Sequence, residues 1–157
     1  MKDNKTFERS GHVAGLAWGV HGPFRQYVER MSDGQMAARD GAEILATGEA
    51  FFPLDVDSTT PDELRFTGSL EFSGHHGMLA VTVEQPWLQH RAGQWELSVV
   101  DPFEPAKRMP FVAVEFTDNA TGTTRLTEAG TDVFMGNYSE ATLFDPVRII
   151  WEEKDEE

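Results

Sequence analysis

No cysteine occurs among the 157 residues. That excludes disulfides, thiolate metal sites and cysteine nucleophiles together, and it fits an oxidising or a reducing compartment equally. Cations are scarce as well. Thirteen Lys and Arg stand against 27 Asp and Glu, for a formal net charge of -14. Such a chain repels phosphate backbones and anionic membrane surfaces, so nucleic acid is not an expected partner. Long apolar runs are missing too: the best candidate, VAGLAWGV at Val13 to Val20, is short and broken by glycines, so no transmembrane segment is expected. The first residues, MKDNKTFERSGH, are polar where a secretory signal has its apolar segment. The chain as it stands therefore reads as cytoplasmic, the alternative being an exported form with its signal already removed.

The chain also lacks a phosphate loop, a dinucleotide fingerprint, an HExxH pair and a GxSxG elbow, so the familiar enzyme classes receive no motif support. Its carboxylates are plentiful, yet spacing alone places none of them as an acid and base pair. The DxD of LDVD, Asp55 and Asp57, reads as a loop before it reads as a metal site.

What the chain has is enough apolar content for one domain with a core, and too little length for two. The expected layout is a polar leader over residues 1–12, a single domain over 13–151 and a solvated acidic tail over 152–157. Near the start, GPFRQYVERMSDG carries a helix signal. Pro23 suits a first helical position, Phe24, Tyr27, Val28 and Met31 follow the spacing i, i+3, i+4, i+7, and Gly34 ends the run. This spacing predicts Tyr27 on the buried face of a short helix.

From about Ala42 onwards the period becomes two. LRFTGSLEF reads as one half-buried strand, with Leu64, Phe66, Leu70 and Phe72 on one face. Further strands are expected in GMLAVTVEQP, WELSVVDP, PFVAVEFTD and PVRIIW, with FPLDVDSTTPDE and FEPAKRMP as loops. The predicted fold is mainly β, an antiparallel sandwich or barrel-like domain with a short N-terminal helix.

The turn FSGHHG, Phe72 to Gly77, joins two of these strands into a hairpin. On an extended backbone His75 and His76 face opposite sides, so they do not share one metal, and only one need point inward. A zinc site would need further ligands that His12, His21 and His90 do not obviously supply. A histidine here serves the turn as readily as a ligand. Tyrosine is the rarer residue: there are two, against eleven phenylalanines. A core could be filled without them, and each has a distinctive setting, Tyr27 in the helix and Tyr138 in FMGNYSEATLFDP. Whether they are core residues with satisfied hydroxyls or functional groups stays open on this ground.

Three blocks in order, WGVHGPFRQYV at Trp18 to Val28, LRFTGSLEFSGHHGMLAVTVEQPWL at Leu64 to Leu88 and GNYSEATLFDP at Gly136 to Pro146, resemble the HtaA-type domain of actinobacterial hemin-uptake proteins. Together they frame the chain from about Leu16 to Ile150. The resemblance implies a β-rich domain binding one ferric heme. Its axial ligand matches Tyr27, the histidine of its GHxG turn matches His75, with His76 at the variable position, and its second pocket tyrosine matches Tyr138.

Ferric iron and a neutral imidazole that takes or shares the phenol proton both favour the phenolate, whose ordinary pKa is about 10. A tyrosinate ligand in turn favours Fe(III), which suits carrying oxidised heme. Trp18, Phe24, Val28, Met31 and Met78 are candidate apolar contacts for the porphyrin, and Arg25 or Arg65 for a propionate. The expected function is a non-enzymatic heme protein for uptake, carriage or buffering, with other heme-transfer proteins as partners and a homodimer compatible with the sequence. The alternative is an enzyme, a cyclase or isomerase of a large apolar molecule, using Tyr27 and His75 as acid and base.

Overall fold

The apolar run near the start is a strand, not a helix. In the computed structural model, which describes residues 12–152, β1 (His12–Trp18) lies inside a nine-stranded antiparallel sheet, between β4 (Ala50–Pro53) and β12 (Leu143–Glu152). Its near-continuous burial follows from that interior position. Gly15 is required there: a Cβ would sit 2.5 Å from the Phe52 carbonyl oxygen of β4. Among the described residues no helix is long and apolar enough to cross a membrane.

The large sheet runs in the order β3 (Glu43–Ile44), β4, β1, β12, β11 (Thr121–Leu126), β10 (Arg108–Phe116), β9 (Gln94–Val100), β8 (Trp87–Arg91) and β5 (Glu63–Arg65). A second sheet holds β2 (Gln35–Arg39), β6 (Ser69–Gly74) and β7 (Leu79–Glu84). The core combines Leu70, Phe72, Val81 and Val83 of the small sheet with Leu16, Trp18, Leu97, Phe111 and Val147 of the large one. The mainly β, antiparallel expectation holds.

One expected strand is two. LRFTGSLEF breaks at residues 66–68, with β5 pairing to β8 in the large sheet and β6 to β2 and β7 in the small one. Leu64, Phe66, Leu70 and Phe72 are all buried, so the alternation of period two survives the crossing and conceals it. The corner is built from left-handed residues, Gly68 at φ 104° and, on the returning strand, Gln85 at φ 50°, whose amide donates to the Gly68 carbonyl at 2.8 Å. The β6–β7 hairpin is thus folded out of the large sheet, with its turn at the far end.

Helix α1 (Gly22–Arg30) starts with proline in its first turn and ends at Met31, which is extended. Phe24 and Val28 are buried, and Phe24 packs edge-on against Phe72 of β6, with centroids 5.0 Å apart. A Cβ on Gly34 would overlap the Val28 carbonyl, so the chain leaving the helix is pressed against the helix's last turn. The short helix α2 (Glu128–Val133) has Thr127 as its cap, whose Oγ1 accepts from the Gly130 amide at 2.9 Å.

Candidate functional site

A cavity of about 570 Å³ opens between α1, the β6–β7 turn and residues 134–138 that follow α2. Its lining is largely apolar, with Phe24 and Tyr27 from the helix, His75 and Met78 from the turn, Leu79 from the start of β7, and Phe134, Met135, Asn137 and Tyr138 from the third segment. A volume of this size and a lining of this kind suit a small apolar ligand oriented by a few polar groups.

Tyr27 is not on the buried face of α1. It is 43% exposed at the cavity's edge. Three residues advance a helix by about 300°, so Tyr27 sits at the border of the stripe whose centre Phe24 and Val28 occupy. At that border the wall gives way to the cavity. The Tyr27 hydroxyl lies 2.7 Å from Nε2 of His75, with the two rings tilted by 59°.

His75 and His76 are not extended either. They form a single 3₁₀ turn with left-handed backbones, φ 50° and 55°, followed by Gly77 at φ 89°. The outcome for the side chains is nevertheless a division: His75 joins the cavity, while the His76 side chain is 97% exposed. Two left-handed residues other than glycine in succession are costly and need fixing from outside the turn. Asp33 supplies this. One carboxylate oxygen accepts the His75 amide at 3.1 Å and the other the His76 amide at 2.7 Å. The His76 amide foremost holds the Asp33 carboxyl below its usual range.

Tyr138 is half-buried among aromatic rings, edge-on to Phe134 at 5.3 Å and to His21 at 4.9 Å. Burial, and secondarily the nearby Tyr27, push its phenol above the ordinary value, which keeps it a neutral hydroxyl. His21 is buried and stacked on Phe144 at 4.2 Å, and its Nδ1 has no hydrogen-bond partner. Burial lowers its pKa.

Of the sequence candidates, the cavity brings together Tyr27, His75, Tyr138, Phe24 and Met78. Trp18, Arg25, Val28, Met31 and Arg65 are not in its lining, for physical reasons that differ. Trp18 is fully buried and donates its indole N–H to the Asp145 carbonyl at 2.7 Å. Arg25 is committed to the Asp145 carboxylate and the Gly19 carbonyl, at 2.6 and 2.8 Å. Val28 faces the core, and Met31 packs against it half-buried. Arg65 pairs with Glu63 on β5 and lies over the Trp87 ring at 3.9 Å.

Asp55 accepts from the Ser58 hydroxyl within its loop, and among the described residues no three His, Asp or Glu side chains converge as a metal site. Sequence reasoning missed Asp33, Leu79, Phe134, Met135 and Asn137. The only local hint for Asp33 was the Asp-Gly turn after the helix.

The family model described as Htaa matches residues 13–150. No curated protein matches the chain. Three solved structures from Corynebacterium glutamicum share the fold. The N-terminal domain of HtaA has a TM-score of 0.73 at 21% identity, covering 94% of this chain and 100% of that one. The C-terminal domain of HtaA has a TM-score of 0.70 at 20% identity, covering 88% and 95%. The heme-binding protein HtaB has a TM-score of 0.70 at 19% identity, covering 87% and 91%.

Proposed function

The chain belongs to the HtaA family, and from that premise we propose that it binds one ferric heme in the cavity beside α1, through Tyr27 as axial ligand, and that it carries or buffers this cargo and passes it to other heme-transfer proteins. The observation that carries the reading is the 2.7 Å contact between the Tyr27 hydroxyl and His75 Nε2 at the edge of an apolar cavity. The likeness in fold to the heme-binding protein HtaB supports the choice of ligand.

The residues present fit such a cargo. The bound group supplies a Lewis-acidic ferric centre that prefers a hard anionic oxygen donor. Tyr27 offers that oxygen. A neutral His75 with Nε2 unprotonated accepts the phenol's hydrogen bond and lowers the cost of removing its proton. Tyr138, held protonated by burial, stays a neutral hydroxyl on another wall, so the two tyrosines are distinguished by environment. Phe24, Leu79 and Phe134 give apolar contact and exclude water. The lining holds no Lys or Arg, so anionic groups on the cargo's edge are left to solvent and Asn137 rather than to Arg25 or Arg65.

The test is a titration of purified protein with ferric hemin, followed by visible absorption beside Tyr27→Phe. Saturation at one heme per chain, with a tyrosinate charge-transfer band that the variant lacks, is the expected result. Absence of a saturable change in the wild type overturns the reading. An unchanged spectrum in Tyr27→Phe overturns the ligand assignment alone.

A further inference from the structure

The two partners of the Tyr27–His75 contact reach it from opposite sides of the cavity's edge, yet both are tied to one short piece of chain. Tyr27 stands on the last turns of α1. The residues leaving that helix are fixed against it, because Met31 donates its amide to the Val28 carbonyl at 3.1 Å, Gly34 donates to the Met31 carbonyl at 3.2 Å, and the approach of Gly34 to Val28 admits no side chain. Asp33 lies between these anchors. Its carboxylate reaches 42 residues along the chain to the amide of His75 and 43 to that of His76.

Resting on the function proposed above, we propose that Asp33 is a positioning residue for the ligand pair, setting the place of the His75 imidazole relative to the Tyr27 hydroxyl through the backbone of the turn. Helix, exit loop, turn, imidazole and phenol form a closed ring of contacts, in which the carboxylate ties the loop to the turn's amides just beyond the β2–β6 pairing that starts at Gln35 and Ser73. Three features make this more than the capping of a turn. His75 and His76 both hold left-handed backbones that a non-glycine residue adopts at a cost. The carboxylate takes both amides, one with each oxygen, so it fixes the turn's orientation as well as its shape. The imidazole so placed belongs to the first of the two residues held, with no intervening rotatable backbone.

The Asp33 carboxylate and the turn are exposed, so amides released by Asp33→Ala pass to water and the fold stands without it. The first measurement is made without hemin. In Asp33→Ala, faster hydrogen exchange at the His75 and His76 amides, with weakened proton contacts between the Tyr27 and His75 rings, is expected by NMR. Exchange and ring contacts unchanged from the wild type overturn the proposal, whatever the protein does with hemin.

The second measurement is the rate of hemin transfer to an excess apo-heme acceptor. Loss of an outer-shell partner costs about 10- to 100-fold at metal sites, and an acceleration in that range is expected for Asp33→Ala, with partial recovery in Asp33→Asn, which keeps one acceptor oxygen. A rate equal to wild type, with Tyr27→Phe strongly accelerated, also overturns the proposal. A wild-type protein that takes up no hemin, while Asp33→Ala still loosens the ring contact, instead overturns the heme reading and leaves the positioning role standing.

Discussion

The Arg25 guanidinium meets the Asp145 carboxylate at 2.6 Å, across 120 residues of sequence. The other Asp145 oxygen accepts the amide of Gly22, the first residue of α1, at 2.9 Å. One carboxylate on β12 thereby holds both the start of the helix and a side chain from its first turn. The helix carrying Tyr27 is aimed from below by this pair. Both side chains are about a quarter exposed, so the pair keeps part of its strength against solvent.

Replacing Asp145 with Ala takes the acceptor from the Gly22 amide and the anionic partner from Arg25, which keeps only the Gly19 carbonyl among these contacts. A loss of about 2 kcal/mol is expected from hydrogen bonds to a charged group in this setting. Urea unfolding measures the loss, and hemin affinity should fall alongside it because Tyr27 moves with the helix.

His75→Ala removes the hydrogen-bond partner of the Tyr27 hydroxyl without touching the core, since His75 is exposed. Hemin affinity is expected to fall by about 10- to 100-fold and the tyrosinate band to shift, while the denaturation midpoint stays near wild type. Retention of full affinity would remove His75 from the site.

The pH dependence of stability should carry the mark of His21. Its folded-state pKa lies below the ordinary value of about 6.5 because it is buried. Between the lowered value and about 6.5 the unfolded chain binds a proton that the folded one does not, so stability is full above that window and falls as the pH drops through it. His21→Phe keeps an aromatic ring against Phe144 and has nothing to protonate there. Urea midpoints at about pH 7.5 and 5.5 should therefore differ less in the variant than in the wild type.

Gly34→Ala sets a Cβ against the Val28 carbonyl, which is backbone and cannot swing aside. A destabilisation above about 1 kcal/mol is expected, together with a displaced Asp33 and faster exchange of the His75 amide. Thermal unfolding and amide exchange report the two effects separately.

The residues legible in the sequence are those whose spacing survives folding. Phe24 and Val28 mark the buried stripe of α1, Leu70 and Phe72 the core face of β6, and GHHG the hairpin turn, all as periodicity and turn chemistry suggest. Tyr27 departs from its expected burial because a helical stripe has borders, and only tertiary structure says whether core or cavity lies beneath one. The split of LRFTGSLEF was hidden by preserved alternation. Strands β4, β8 and β11 and the six-residue α2 are short or polar on one side, which leaves too few residues to set a period. Asp33 was illegible for another reason: its partners are backbone amides 42 and 43 positions away, and backbone leaves no signature in composition.

The position of β12 bears on when the site comes into being. This strand, the last among the described residues, lies between β1 and β11, and it brings Asp145 to the start of α1. Tyr27 and His75 precede residues 143–152 in the chain, but the helix under Tyr27 gains its anchor, and the sheet the strand that joins β1 to β11, only once those residues have inserted. Pairings of such sequence separation form late and slowly. A growing chain therefore exposes both Tyr27 and His75 well before they can be held together, and under the function proposed above cargo would be captured only after β12 is in place.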